Sequence, residues 1–101
     1  MLMKITDINW HTWTPQEVAT LMFVKRRDQV LLIRKKRGLG AGKINGPGGR
    51  IEAGETPLAC AIRETEEELL ITPQNIRNAG ELFFHAEDMP HIHGHVFVAE
   101  D

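Results

Sequence analysis

Three glutamates, Glu64, Glu67 and Glu68, stand at positions i, i+3 and i+4 in a run without glycine or proline. On a helix that spacing projects three carboxylates from one face, where they can converge on a common point. Each like-charged pair at this spacing costs roughly 0.2–0.5 kcal/mol, and Arg63 alone cannot neutralise Glu64, Glu66, Glu67 and Glu68. A bound cation would relieve the repulsion. Hard divalent ions such as Mg²⁺, with Mn²⁺ as a substitute, take carboxylate, phosphate and water oxygens, which is the ligand set this face offers. A solvated face of a Glu-rich helix accounts for the same cluster with no ligand, so the surroundings must decide.

The elements that would position these carboxylates are legible. Thr56 is a good N-cap, Pro57 suits the first helical position, and the helix is expected to run through Ile71 before Pro73 stops it. Leu58, Ile62, Thr65 and Leu69 form one stripe at 100° per residue, the face expected to pack on a sheet. Upstream, residues 18–24 and 30–33 are apolar runs around the turn-forming Arg26, Arg27, Asp28 and Gln29, which predicts a β-hairpin. Residues 35–49 hold six glycines and one proline, a loop whose backbone can approach a ligand closely. A short strand is expected at 50–52, and two more at 81–84 and 93–98, separated by a polar loop at 86–90. Residues 1–15, with Trp10 and Trp13, show no clear period.

A chain of 101 residues is one domain at most, and 42% hydrophobic with 26% charged residues is ordinary globular composition. Nine of the 12 Lys and Arg lie between positions 25 and 50 against one acid, Asp28, so that segment carries +8, while six glutamates follow between positions 52 and 68. A basic arm beside an acidic knot suits a polyphosphate with divalent cations; two solvated surfaces are the plainer alternative. The single cysteine, Cys60, cannot make an intrachain disulfide, and no secretory or membrane-length apolar run is present. We therefore expect a cytoplasmic protein with no membrane and no nucleic acid polymer as partner.

From Gly49 there are five residues to Glu55 and seven more to Arg63, followed by Glu64, Thr65, Glu66, Glu67, Glu68, Leu69, Leu70 and Ile71. The pattern Gly49, Glu55, Arg63, Glu64, Glu67, Glu68 and the closing apolar Ile71 resembles the Nudix box, the loop-helix-loop signature of hydrolases that cleave nucleoside diphosphates linked to another moiety. Two positions depart from it. Thr65 replaces the usual aliphatic, tolerable on the packing stripe, and Leu70 replaces the usual glycine. Glycine there supplies a left-handed cap that leucine adopts only at a cost, so the helix is expected to end differently.

The resemblance is closest to the oxidised-purine nucleoside triphosphatases, the 8-oxo-dGTP diphosphatase or MutT-like branch. It spans residues 16–101 and leaves 1–15 as an N-terminal extension. It implies an α/β Nudix fold, a mixed β-sheet bearing the loop-helix-loop box, and a Mg²⁺-dependent nucleoside triphosphate pyrophosphohydrolase acting on oxidised purine nucleotides by water attack. By this likeness Glu64, Glu67 and Glu68 hold the metal with a backbone carbonyl near Gly49. Glu64, Glu67, Arg63 and Glu55 form the catalytic set, with the Arg63–Glu55 ion pair orienting the helix carboxylates and one helix glutamate serving as general base. Lys35, Asn45, Gly48, Gly49, Arg50 and Phe84 are the residues expected to face the substrate. An amide offers a base edge both donor and acceptor, and a lysine offers phosphate a point charge. Asn45 before Gly46 is equally a turn former.

A full Nudix domain continues beyond the strand ending near Val98, so the chain is expected to be truncated at its C-terminus. That leaves a non-catalytic nucleotide-binding or regulatory module as the alternative to an enzyme. It also leads us to expect a homo-oligomer formed through an exposed C-terminal strand edge. His85, His91, His93 and His95 invite a zinc reading. It is discounted, because alternate residues on one strand lie ~6.6–6.8 Å apart and no cysteine is near to complete a tetrahedral set.

Overall fold

The computed structural model describes residues 12–34, 42, 44–86 and 89–101. Strand β1 (Glu17–Arg26) alternates side chains between two faces and turns through Arg27 and Asp28 into β2 (Gln29–Leu31), pairing from Val24↔Leu31 to Arg26↔Gln29. This is the expected hairpin. After Leu32, β3 (Ile33–Arg34) pairs with β4 (Ile44–Asn45) in a ladder of its own. Strand β5 (Gly48–Arg50) returns antiparallel to β1, somewhat earlier than the expected 50–52. Helix α1 (Pro57–Leu69) follows, then β6 (Gln74–Ala86) and β7 (Met89–Glu100) form a long antiparallel hairpin. Strand β7 runs parallel to β1 from Glu17↔Ile92 to Lys25↔Glu100. The order is β2-β1-β7-β6 with β5 also on β1, a mixed sheet of α/β type as expected.

One face of the sheet meets the helix. Met22 and Val24 of β1 stand opposite Phe97 and Ala99 of β7, and Ala61 of α1 closes over them. Leu31, Ile62, Leu69, Ile71 and Ile76 pack around this cluster. Fully burying a side chain such as Met22 or Val24 is worth roughly 1.5–3 kcal/mol, so this contact fixes where the helix lies. The stripe read from sequence is only partly right. Leu58 is 44% exposed, while Cys60, Ala61 and Thr65 are buried. Thr65 fits because its hydroxyl donates to the Ala61 carbonyl at 2.7 Å, which satisfies the polar group within the helix.

Three other expectations are corrected. The polar loop at 86–90 is much shorter, since Ala86 already pairs with Met89 and the ladder carries Pro90 within β7. The C-terminal strand β7 is not an exposed edge: it pairs with β1 on one side and β6 on the other, and β6 takes the outer position. The expected oligomer through a bare β7 edge therefore lacks its edge. The helix end is the third. Leu70 takes the left-handed conformation itself, φ 58° and ψ 33°, with its N–H donating to the Glu66 carbonyl. The turn is needed because Ile71 packs on the core immediately afterwards and Pro73 is buried, contacts that a continuing helix would lose.

Candidate functional site

The site is built from the start of α1 outward. The Thr56 hydroxyl accepts from the Ala59 N–H at 3.1 Å, capping the helix, and Pro57 opens it. One turn in, the buried Cys60 thiol lies 3.3 Å from the Thr20 hydroxyl of β1 and 3.5 Å from the Arg50 carbonyl of β5. These contacts fasten the helix start to the two strands, and burial pushes the thiol pKa up, so it stays a neutral packing group. The sequence offered no signal for this anchoring role.

Arg63 lies at the centre of the acidic cluster. Its Nε donates to Glu55 Oε2 at 2.7 Å and Nη2 donates to Glu55 Oε1 at 3.0 Å, a bidentate fork. The Glu52 backbone N–H adds a third donor to Glu55 at 3.1 Å. Held first by Arg63 and then by that N–H, Glu55 has its pKa lowered to about 2. Arg63 Nη1 also donates to Glu64 at 2.9 Å and lies 3.5 Å from Glu67, and Nη2 lies 3.7 Å from Glu52. The expected Arg63–Glu55 pair is thus present, with Glu52 as an acidic neighbour that the motif reading omitted.

Gly49 abuts the same carboxylates. A Cβ there would fall 2.7 Å from Glu64 Oε1 and 2.8 Å from its carboxyl carbon, so any larger residue would push the Glu64 carboxylate from its present place. Gly48 lies closer still to β1, since a Cβ on it would meet the Thr20 carbonyl oxygen at 2.0 Å. The structure therefore brings together Gly49, Glu55, Arg63, Glu64 and Glu67. Glu68 is on the same helix and partly buried. The three helix glutamates do not form a set with oxygens all within 4.8 Å of one another, and Glu64 and Glu67 both lie against Arg63 Nη1. The donor chemistry still suits a hard divalent cation: four carboxylates, from Glu52, Glu55, Glu64 and Glu67, surround one guanidinium beside a glycine backbone.

The residues expected to face substrate are more scattered. Lys35 lies outside the described residues. Arg50 pairs with Glu17 at 2.8 Å on the strand surface. The Asn45 side-chain oxygen accepts from the Gly46 N–H at 2.8 Å at the end of β4, and its amide NH₂ group makes no hydrogen bond among the described residues. Phe84 pairs with Ile92 on the sheet face opposite α1 and is 39% exposed.

A second cluster was not anticipated. Glu81 of β6 stands opposite His95 of β7, and His93 Nε2 lies 2.8 Å from Glu81 Oε1. Burial holds the His95 pKa below the usual histidine range, His93 adds to that shift, and Glu81 opposes it. Nearby, Trp13 donates its indole N–H to His85 Nδ1 at 2.9 Å and lies edge-on to Phe83, so this lead-in residue packs on the β6–β7 hairpin.

Fold and site together define an α/β domain in which one acidic helix, organised by an arginine, is set against a glycine-bearing strand of a mixed sheet. The chain belongs to the Nudix family: residues 15–101 match the NUDIX domain. It is 43% identical over 68 residues to an oxidized purine nucleoside triphosphate hydrolase of Danio rerio, covering 67% of this chain and 44% of that protein. Against the protein of the same name in Mus musculus it is 38% identical over 82 residues, 80% of this chain and 53% of that one. The chain thus spans about half the length of these curated relatives. Among solved structures, the MutT NUDIX hydrolase from Burkholderia pseudomallei superposes with a TM-score of 0.75 at 27% identity, covering 84% of this chain and 67% of that chain.

Proposed function

We propose that this chain is the box-bearing part of a Mg²⁺-dependent pyrophosphohydrolase of nucleoside triphosphates, acting on oxidised purine nucleotides in the cytoplasm. The observation that carries the reading is the Glu55–Arg63–Glu64 network beside Gly49, at the positions of the Nudix box. Two relatives named oxidized purine nucleoside triphosphate hydrolase support the substrate class.

In this reading Glu64, Glu67 and Glu68, with a backbone carbonyl near Gly49, hold Mg²⁺, which when bound neutralises the polyphosphate charge and polarises the phosphoryl oxygens. Glu55 is a positioning residue. Its fork on Arg63 fixes the guanidinium that in turn aims Glu64 and Glu67. One of the helix glutamates takes a proton from the attacking water. The new bond joins that water oxygen to phosphorus, the bridging P–O bond breaks, and pyrophosphate leaves. Asn45, through its free amide donor, and Phe84, through its ring, are the residues assigned to the base, and Lys35 and Arg50 to the phosphates.

The test is hydrolysis of a nucleotide panel in Mg²⁺, with pyrophosphate as the readout. Release from an oxidised purine triphosphate at a higher kcat/KM than from the unmodified one is expected. Binding without turnover would instead support a non-catalytic nucleotide module.

A further inference from the structure

We propose that Glu81, His93 and His95 form a site for a late first-row divalent cation of the Zn²⁺ type, on the strands of the sheet and separate from the carboxylates of α1. Among the described residues these are the three whose ligand atoms all lie within 4.8 Å of one another. The inference does not depend on the hydrolase reading.

The spacing is that of a metal triad. A tetrahedral ion with bonds of ~2.0–2.1 Å needs its donors ~3.3 Å apart. Glu81 Oε1 lies 2.8 Å from His93 Nε2 and 3.8 Å from His95 Nδ1, one distance on each side of that value. Movements of about half an ångström would bring Glu81 Oε1 to that separation from each imidazole, and the two ring nitrogens lie within 4.8 Å of each other. A lone Glu–His hydrogen bond explains the shorter distance but gives no reason for the second imidazole to aim a nitrogen at the same oxygen.

The site is also preorganised. His93 stacks on Phe83 at 4.7 Å with planes 12° apart, and its other neighbour is the His95 ring at 4.4 Å. Phe83 in turn meets the edge of Trp13. Both rings are mostly covered while Glu81 is half exposed, which leaves the remaining coordination positions open to water or an outside ligand.

Strand pairing separates this triad from the helix site. Glu81, His95, Thr20 and Gly49 follow one another across β6, β7, β1 and β5, so His95 and Gly49 are two strands apart, ~9.6 Å at ordinary strand spacing. The donor types separate the two as well. Imidazoles suit Zn²⁺, Cu²⁺ or Ni²⁺, whereas Mg²⁺ favours oxygen.

The experiment is titration of the metal-free chain with Zn²⁺, followed by calorimetry and by thermal unfolding. One equivalent should bind and raise Tm, and equal Mg²⁺ should not reproduce the effect. His93→Gln and His95→Gln should each weaken Zn²⁺ at least ~10-fold, the loss seen even when only a supporting partner of a metal ligand is removed. His85→Gln should leave the affinity unchanged. Circular dichroism of each variant confirms that it is folded. No Zn²⁺ binding up to ~1 mM, or equal affinity in both His93→Gln and His95→Gln and the parent chain, would overturn the site. So would a Zn²⁺ affinity lost in Glu67→Gln and kept in His95→Gln.

Discussion

Arg63 is bonded or ion-paired to four acidic side chains, and each pair makes a different claim. Glu67 is the more exposed of the two helix partners, its side chain 59% exposed against 16% for Glu64, and Glu68 follows it on the same helix. Glu67→Gln and Glu68→Gln should each keep the fold and lower kcat at least ~100-fold in Mg²⁺, since each keeps shape and removes an anionic donor. Hydrolysis at parental rates in either variant would remove that residue from the metal site. Glu55 makes a separate, pH-dependent claim. Its pKa falls from 4.5 to about 2 on folding, so the stability it contributes is fully present above pH 4.5 and is lost as pH drops toward 2. Glu55→Gln should therefore be less stable than the parent at neutral pH, with the gap closing between pH 4.5 and 2. Urea unfolding of both chains at several pH values measures it; a gap that stays constant through that window would mean that the charge of Glu55 adds nothing to folding.

At the scale of elements, the helix start was readable because capping is local chemistry: Thr56 and Pro57 do what those residues do anywhere. The box residues were readable for a related reason, since Gly49, Glu55, Arg63 and Glu64 are set by chain spacing and meet across a single turn of loop and helix. What could not be read depended on partners distant in sequence. The β6–β7 ladder extends through Met89 and Pro90 because strand pairing outweighs the polar composition of that stretch. The histidines depend on a distant partner in the same way: His93 and His95 were weighed along one strand, whereas Glu81, whose oxygen lies within 4.8 Å of their ring nitrogens, comes from the neighbouring strand. Leu70 is the clearest conflict between local and tertiary demands. It accepts φ 58° at 86% exposure so that Ile71 can reach the core. A left-handed leucine costs about 1–2 kcal/mol, part of which glycine would return as backbone entropy. Leu70→Gly should thus stabilise the chain by ~0.5–1 kcal/mol and raise Tm by a few degrees in a calorimetric scan. A lower Tm would show that the leucine side chain holds more than its exposure suggests.

For the whole molecule, the placement of β7 between β1 and β6 transfers the question of assembly to β6. That strand is the outermost on its side among the described residues, and Leu82, Phe83 and Phe84 are 45%, 49% and 39% exposed. Register shifts at Asn78/Gly80 and Phe84/Ala86 bracket it, and such bulges blunt an edge. Between them, however, Gly80 to Phe84 pairs without interruption opposite Val96 to Ile92, a largely apolar segment with one charge, Glu81. An edge of that kind is a template for another strand. The chain should therefore self-associate through residues 80–84, with an apparent mass that rises across a ~100-fold concentration range as mass action requires. Leu82→Lys places a charge on the opposite sheet face from Glu81, at a side chain already half exposed, and should return the protein to a monomer while leaving its circular dichroism unchanged. Sedimentation of both chains separates the outcomes. A parent chain of constant monomer mass, or a Leu82→Lys chain that associates as strongly as the parent, would mean that its bulges already protect the β6 edge.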